Sequence, residues 1–333
     1  MKIDIGAHIL PKGYKDALYK LTDTRINLQD VIDTLPTMYD LDHRFRVMDK
    51  FEGLMQVLTL SSPAVEEFSD AEKSPDFAKL ANDGMAELVL KYPDRFVAAV
   101  ACLPINNIEA SLEEIDRAVN DLKFRGAQLN TPINDKPLDS PEFMPIYEKM
   151  SQYNLPIWIH PMRTVDFPDY RSEKKSRLMI FHIFGWPYET AAAMTRLVFS
   201  GVFDRFPNLR FIVHHAGGMV PFLEQRIIGA FDHAEMRRGA KYKQGLTRSP
   251  IDYYKEGFYY DTAIYGHTPG LMCTSAFCGI DHMLFGTDFP YDSQFGERYT
   301  RQTIEAIEEM NVTDEEKRKI LEANARMLLR LPV

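Results

Sequence analysis

The sequence of 333 residues is poor in cysteine, has no block of basic residues and lacks long hydrophobic runs. Its three cysteines, Cys102, Cys273 and Cys278, match neither a paired zinc spacing nor a disulfide framework. The formal net charge of −9 argues against a nucleic-acid or anionic-membrane binder. No apolar run approaches the roughly 20 residues that span a bilayer, and Asp4 interrupts the N-terminal apolar stretch, so no signal peptide is predicted. We therefore expect a cytoplasmic protein.

Short β-branched or aromatic runs alternate with longer segments of helical period along the chain. The predicted strands are 2–8, 54–60, 96–104, 126–131, 156–161, 210–218, 258–263 and 282–290. Helical patterns between them include 76–91, 108–123, 141–153 and 187–205. Eight strands with helical crossovers predict a parallel sheet closed into a (β/α)8 TIM barrel, as one domain over 1–333. An open doubly wound sheet is the alternative, but no glycine-rich phosphate turn follows the first strand.

Three further segments carry specific expectations. The last helix begins near 313, where Thr313 and Glu316 have capping-box spacing. Its periodicity places one set of residues on a single face: Ile320, Asn324, Met327 and Leu331. Segment 11–53 is a small insertion after strand one that we expect to form a flap over the barrel mouth. Segment 162–186 is a second candidate active-site loop.

Histidine and aspartate recur where the predicted strands end, which is where catalytic groups project in a TIM barrel. Strand one ends at His8, strand five at His160, strand six at the pair His214 and His215, and strand eight at Asp288. Two histidines and an aspartate can hold a divalent ion and still leave positions open to water and substrate. A histidine off the metal can carry protons near pH 7. The pattern predicts a metal-assisted active site.

The motifs at these strand ends resemble the amidohydrolase superfamily, and within it the branch of aminocarboxymuconate semialdehyde decarboxylase and the γ-resorcylate (dihydroxybenzoate) decarboxylases. The likeness is carried by a first-strand histidine followed by Pro11, "HP" after strand five, "HHAGGMVPF" after strand six and "GTDFP" on strand eight. It extends over nearly the whole chain, through to the closing "KILEANARMLL".

This resemblance implies roles for particular residues. His8, His160 and Asp288 become metal ligands, with Zn²⁺ expected and Mn²⁺ or Fe²⁺ possible. His215, directly before Ala216, matches the catalytic histidine that is not a ligand, with Asp288 as its partner in catalysis. His214 then falls on the opposite face of the strand, as a packed or hydrogen-bonded neighbour.

The same likeness implies arginines for a substrate carboxylate. Arg226, eleven residues after His215, matches an arginine that reaches a neighbouring subunit's substrate, so a homodimer or higher homo-oligomer is expected. Arg44 resembles a second such arginine, with Arg46 nearly as good a match. Arg163 is a third candidate, and for Arg44, Arg163 and Arg226 a surface ion pair is the alternative. Several aromatic residues are candidates to line a pocket for a planar ligand, with packing in the core or in loops as the alternative for each: Trp186, Tyr188, Tyr265, Phe289 and Tyr291.

One departure from the family pattern concerns the first strand. Where the family has His or Glu two residues before the position of His8, this chain has Gly6, so one ligand is missing. Asp4 shares the face of Gly6 and His8 by the two-residue period but lies deeper, and it is a weaker candidate ligand.

The leading function is therefore a metal-dependent, non-oxidative decarboxylase of a hydroxylated aromatic or unsaturated carboxylic acid. Hydrolysis or hydration by an activated water is the alternative, because the same residues would serve both reactions. A barrel that only binds a ligand is the third possibility, and Gly6 is its best support.

Overall fold

The computed structural model describes residues 1–21, 29–239 and 246–332. Its strands are all parallel to their neighbours: β1 Lys2–Ile9, β2 Leu54–Leu60, β3 Phe96–Ala99, β4 Ala101–Cys102, β5 Ala127–Thr131, β6 Ile157–Pro161, β7 Phe211–Val213, β8 Phe258–Asp261 and β9 Met283–Leu284. β3 and β4 are one run interrupted at Val100, which corresponds to the predicted strand 96–104.

Hydrogen bonds between β1 and the residues that directly follow β9 close the ring. Ile5 N donates to Phe285 O at 2.9 Å and His8 N donates to Phe289 O at 2.7 Å, and a parallel bridge joins Ala7 to Phe289. The predicted (β/α)8 barrel is confirmed. Its carboxyl ends therefore meet at one mouth, where the end of each strand can contribute a side chain.

The helices that surround the barrel follow the predicted segments closely. They are α1 Lys12–Tyr19, α2 Gln29–Thr34, α3 Leu41–Met48, α4 Val65–Phe68, α5 Ser74–Lys91, α6 Ile108–Asn120, α7 Met144–Tyr153, α8 Trp186–Phe199, α9 Val202–Arg205, α10 Glu224–Arg238, α11 Pro250–Gly257, α12 Thr268–Cys278, α13 Glu297–Glu308, α14 Asp314–Arg318 and α15 Asn324–Leu329. The predicted helix 187–205 is split because Gly201 takes a φ of +75°, which ends α8 and starts α9. No helix of the described ranges has the length and apolarity needed to cross a membrane.

Two apolar layers hold the barrel together. Small and branched side chains fill its interior, with Trp158 the largest; the others include Ile3, Ile5, Val57, Val100, Ile212 and Leu284. A larger layer lies between the strands and the helices. Because the interior is filled by side chains, the polar groups of the strand ends are confined to the mouth.

The last helix differs from its predicted face. The capping box of Thr313 and Glu316 is present, but residues 319–323 form a π-helical turn between α14 and α15. That turn holds one more residue than an α-turn, so the buried face shifts afterwards. Met327 is consequently exposed while Leu329 is buried, and Leu331 lies beyond the end of α15.

Segment 11–53 forms α1, a short α2, a 3₁₀ turn at Pro36–Met38 and α3. It packs on the first strand, where Leu10 N donates to Met38 O, and on the region after β9, where Thr37 Oγ1 donates to Phe295 O. Residues 22–28 of the predicted flap lie outside the described residues.

Candidate active site

Five polar side chains from four strand ends meet at the barrel mouth. β1 carries His8, β6 carries His160, His214 and His215 directly follow β7, and Asp288 follows β9. All five are buried. His215 and Asp288 have φ angles of +56° and +61°, which are unusual for residues other than glycine. Such strained backbone is common where a side chain must be aimed at a site.

The expectation that His214 falls on the opposite face of the strand is wrong. Its ring lies 4.8 Å from the ring of His160 and 5.9 Å from that of His8. Extended backbone at His214 keeps it on the face of Ile212, which is part of the barrel interior. The left-handed backbone at His215 then turns that residue inward too, so both consecutive histidines reach the mouth.

The two oxygens of Asp288 face different histidines. Oδ1 lies 3.3 Å from His8 Nε2, whereas Oδ2 lies 3.7 Å from His215 Nε2. The Tyr265 hydroxyl also approaches Oδ2, at 3.4 Å. The carboxylate therefore stands between a His8 side and a His215 side, and can serve a different task on each.

Several ligand-type atoms of the cluster are buried without a hydrogen-bond partner among the described residues: Nε2 of His8 and His160, both ring nitrogens of His214 and His215, and Oδ1 of Asp288. Orphaned buried acceptors are costly unless something pairs with them. Two overlapping sets have ligand atoms within 4.8 Å of one another, namely His8 with His160 and His214, and His160 with His215 and Asp288. Of the three predicted ligands, His8 belongs to the first set, Asp288 to the second and His160 to both. The donors fit a divalent ion.

Burial and mutual charge set the protonation of these groups. Burial, reinforced by the neighbouring His214 and His8, lowers the pKa of His160 well below its usual value. Burial would raise the pKa of Asp288, but the facing rings of His215 and His8 outweigh it and hold that pKa well below its usual range. Burial likewise works against a charged His215, yet the Asp288 carboxylate prevails and raises the pKa of His215. A neutral His160 and an ionised Asp288 are the forms that bind metal.

Side chains around the cluster orient its members. Thr59 Oγ1 lies 3.1 Å from His8 Nδ1, which leaves His8 Nε2 facing the mouth. Asp261, at the end of β8, accepts from Ala216 N at 2.9 Å and lies 3.2 Å from His214 Nδ1. Sequence reasoning missed Asp261, although it lies at the end of the predicted strand "FYYDTA", where catalytic groups project in this fold.

Aromatic side chains wall the mouth on two sides. The ring of Trp186 lies 5.3 Å from that of His160 and 5.8 Å from that of His215, and Tyr291 lies 5.4 Å from His8. His182, which sequence reasoning missed, lies 4.5 Å from Trp186 with the two rings tilted by 58°, at the end of the 162–186 loop. Of the other predicted aromatic residues, Tyr188 is exposed and Phe289 packs under Arg44.

The three predicted arginines have different surroundings. Arg44 is fully buried and donates to His8 O at 2.8 Å and to Gln56 Oε1 at 2.8 Å, so it supports β1 instead of facing a substrate. Burial lowers the pKa of Arg44 to about 9. Arg163 lies on the mouth loop, where its carbonyl accepts from Trp186 Nε1. Arg226 is exposed on α10, and Glu224, two residues before it on the same helix, pairs with Lys255 at 2.7 Å.

Asp4 is not on the face of Gly6 and His8, because a register shift between Asp4 and Ala7 breaks the two-residue period. Its carboxylate accepts from Thr287 N at 3.1 Å, from Thr287 Oγ1 at 2.6 Å and from Gly6 N at 3.1 Å. Asp4 therefore ties β1 to the segment after β9 and holds the strand that carries His8.

Comparison with known proteins adds to this geometry. The profile of the amidohydrolase family, described as "Amidohydrolase", matches residues 3–331. The chain is 30% identical to a γ-resorcylate decarboxylase of Polaromonas sp. over 87% of each chain. It is 27% identical to a 2-amino-3-carboxymuconate-6-semialdehyde decarboxylase of Dictyostelium discoideum, over 99% of this chain and 92% of that one.

Solved structures of similar proteins share the fold. A dihydroxybenzoic acid decarboxylase from Polaromonas sp., with bound manganese and the inhibitor 2-nitroresorcinol, superposes with a TM-score of 0.79 at 27% identity, covering 99% of this chain and 96% of that one. A 5-carboxyvanillate decarboxylase from Sphingomonas paucimobilis gives a TM-score of 0.83 at 25% identity over 99% of each chain.

Proposed function

Since this chain belongs to the amidohydrolase family, we propose that it is a metal-dependent, non-oxidative decarboxylase of a hydroxylated aromatic carboxylic acid. The observation that carries the proposal is the buried cluster of His8, His160, His215 and Asp288, whose ligand atoms lack partners among the described residues. The relatives and solved neighbours reported above are named as decarboxylases of aromatic or unsaturated acids, which favours this reaction over hydrolysis.

His8, His160 and Asp288 would hold the ion. Ligands on one tetrahedral zinc ion lie roughly 3.4 Å apart when each bond is about 2.1 Å, and the 3.3 Å between His8 Nε2 and Asp288 Oδ1 suits that arrangement. A nitrogen–oxygen ligand set accepts Zn²⁺, Mn²⁺ or Fe²⁺. Zn²⁺ was expected from the sequence, while the manganese in the Polaromonas structure supports Mn²⁺ equally. When bound, the ion would fix the substrate's carboxylate and adjacent hydroxyl and stabilise negative charge that develops there.

The pair of His215 and Asp288 would supply the proton. The Asp288 carboxylate raises the pKa of His215, which favours a proton on that ring beside Asp288 Oδ2. Transfer of that proton to the ring carbon bearing the carboxylate forms a C–H bond at that carbon. The bond to the carboxylate then breaks, its electron pair returns to the ring, and CO₂ leaves. A proton from water restores the pair.

Aromatic and cationic groups would position the substrate. Trp186 and Tyr291 flank the histidine cluster and can contact a planar ring. Arg163 lies close by on the same loop as Trp186. A ring held between such walls, with its carboxylate at the ion, would bring the carbon to be protonated near Asp288.

We also propose a homodimer in which Arg226 completes the partner's site. Arg226 is exposed on α10, and large apolar side chains are exposed on the neighbouring segments, including Phe222 at 81% and Phe184 at 65%. Exposed apolar patches of this kind mark protein interfaces.

The three free thiols suit the reducing cytoplasm proposed from the sequence.

The test is CO₂ release from a panel of hydroxybenzoates by protein that has been stripped with a chelator and then reloaded with Zn²⁺ or Mn²⁺. We expect turnover of at least one ortho-hydroxylated acid, lost on stripping and regained on reloading. Release of a hydrolysis product from esters or lactones, with no CO₂ from any acid, would favour the alternative function. A fully metal-loaded protein that turns over neither class would favour a ligand-binding barrel.

A further inference from the structure

His214 is a member of the cluster to which the proposed ligand set gives no task. It has no solvent exposure, and its Nε2 has no hydrogen-bond partner among the described residues. Its ligand atom groups with those of His8 and His160 within 4.8 Å. A histidine that served only to pack would leave Nε2 buried and unpaired, which is unfavourable.

Asp261 orients the ring of His214. Oδ1 of Asp261 accepts from Ala216 N and from Ala263 N, which fixes the carboxylate. Oδ2 is left over and lies 3.2 Å from His214 Nδ1, a close approach outside hydrogen-bond geometry. A carboxylate at one ring nitrogen fixes the proton there and leaves the other nitrogen as a metal ligand. Nδ1 thus faces the Asp261 carboxylate, and Nε2 is available.

Gly6 leaves the space that the ring of His214 uses. A Cβ atom placed on Gly6 would lie 3.7 Å from His214 Cε1, and its other nearest neighbours would be Asp288 N and Gly286 Cα, each at 3.9 Å. A Cβ alone fits at that distance, but a longer side chain directed the same way would meet the imidazole. The bare strand position at residue 6 and the inward histidine at residue 214 are therefore sterically linked.

We propose that His214 is a metal ligand, bound through Nε2 beside His8, His160 and Asp288, and that it stands in for the side chain absent at Gly6. This inference rests on the proposed metal-dependent function and adds a third imidazole to it. Asp261 is then a positioning residue, which acts on the ion only through His214.

The experiment compares Zn²⁺ affinity, measured by competition with a chromophoric chelator, and the imidazole count, measured by X-ray absorption fine structure. The variants are His214→Ala, Asp261→Asn and the double variant Gly6→His with His214→Ala. His182→Ala is the matched control, because His182 is also a mouth histidine but belongs to neither ligand group. Melting of the metal-free forms shows whether each variant folds.

We expect His214→Ala to weaken Zn²⁺ binding by at least about 100-fold and Asp261→Asn by about 10- to 100-fold, the usual effect of a group that orients a ligand. The imidazole count should fall from three to two in His214→Ala and return to three in the double variant. The control should match the wild type.

The outcomes separate the inference from the function on which it rests. If the wild type binds Zn²⁺ and His214→Ala binds it as tightly with the same imidazole count, the ligand assignment is overturned while the proposed decarboxylase stands. If the wild type binds no Zn²⁺ or Mn²⁺, both proposals fall. If His214→Ala does not fold, the imidazole count of the wild type decides: two imidazoles on the bound ion instead of three would overturn the assignment.

Discussion

At the scale of single residues, Asp288 lies between the ion-binding side of the site and the proton-transfer side. Oδ1 faces His8 and the ion-binding side, and Oδ2 faces His215 and the Tyr265 hydroxyl. A carboxylate shared in this way can hold an ion with one oxygen and take part in proton transfer through the other. It follows that metal binding and turnover should respond differently to changes on the two sides.

Replacing His215 by asparagine tests that division. His215→Asn keeps a polar side chain beside Asp288 Oδ2 but removes the group that carries the proton. We expect metal content to stay at the wild-type level while turnover falls by about 10²- to 10⁴-fold. Metal analysis and steady-state rates on the same samples check this, with His160→Ala as the matched variant that should lose metal. Parallel loss of metal and turnover in His215→Asn would make His215 a ligand.

The sequence predicted some of these residues better than others. His8, His160 and Asp288 could be found because each follows an apolar strand run. The orientation of His214 could not, because alternation depends on the backbone of His215, whose φ of +56° places both histidines at the mouth. The structural role of Arg44 was equally hidden, since its partners Gln56 and His8 O become neighbours only when the barrel closes.

At the scale of elements, irregularities account for most differences between sequence and structure. The predicted strand 210–218 is a strand only over 211–213, because the left-handed residues after it end the ladder. The register shift in β1 turns Asp4 away from the face of Gly6 and His8. The π-helical turn at 319–323 shifts the buried face of the last helix. Bulges and π-turns have no periodic signature, so pattern reasoning passes over them.

A buried acid in α4 gives this helix a pH-dependent stability. Burial raises the pKa of Glu66 to about 8, whereas an unfolded chain would ionise it near its ordinary value of 4.5. Between these values the unfolded state binds fewer protons than the folded state, so Glu66 reduces stability as pH rises through that window. Above pH 8 both states are ionised and the effect levels off.

Glu66→Gln should therefore be more stable than the wild type, by an amount that is small at pH 4.5 and grows to a few kcal/mol, as an order of magnitude, by pH 8. Urea unfolding at several pH values measures this difference. Glu72→Gln is the control, because Glu72 is exposed and should give a flat difference. A difference for Glu66→Gln that does not change with pH would contradict the buried, protonated acid.

At the scale of the whole molecule, the open question is whether one chain holds a complete site. The proposed homodimer would make the site a shared one through Arg226, which is exposed on α10 while Glu224 on the same helix is paired with Lys255. A guanidinium that is free to cross an interface can grip a carboxylate through two parallel hydrogen bonds. In a two-fold dimer each subunit would then serve the other's substrate.

Mixed dimers test this arrangement. Arg226→Ala and His215→Asn should each be nearly inactive alone, yet mixing them through unfolding and refolding should restore about a quarter of the wild-type activity, because half of the dimers are mixed and each has one intact site. Arg237→Ala, on the same helix and also exposed, should stay active. No recovery on mixing, or a fully active monomer by light scattering, would contradict the shared site.

The central claim, that the strand-end cluster is a metal centre for an aromatic acid, is tested most directly by crystals grown with Zn²⁺ or Mn²⁺ and an unreactive nitro analogue of a hydroxybenzoate. Anomalous diffraction should show one ion at about 2.0–2.2 Å from nitrogens of His8 and His160 and from an oxygen of Asp288, with the analogue's oxygens beside it. An absent peak at saturating metal, or an analogue bound away from this cluster, would contradict the account.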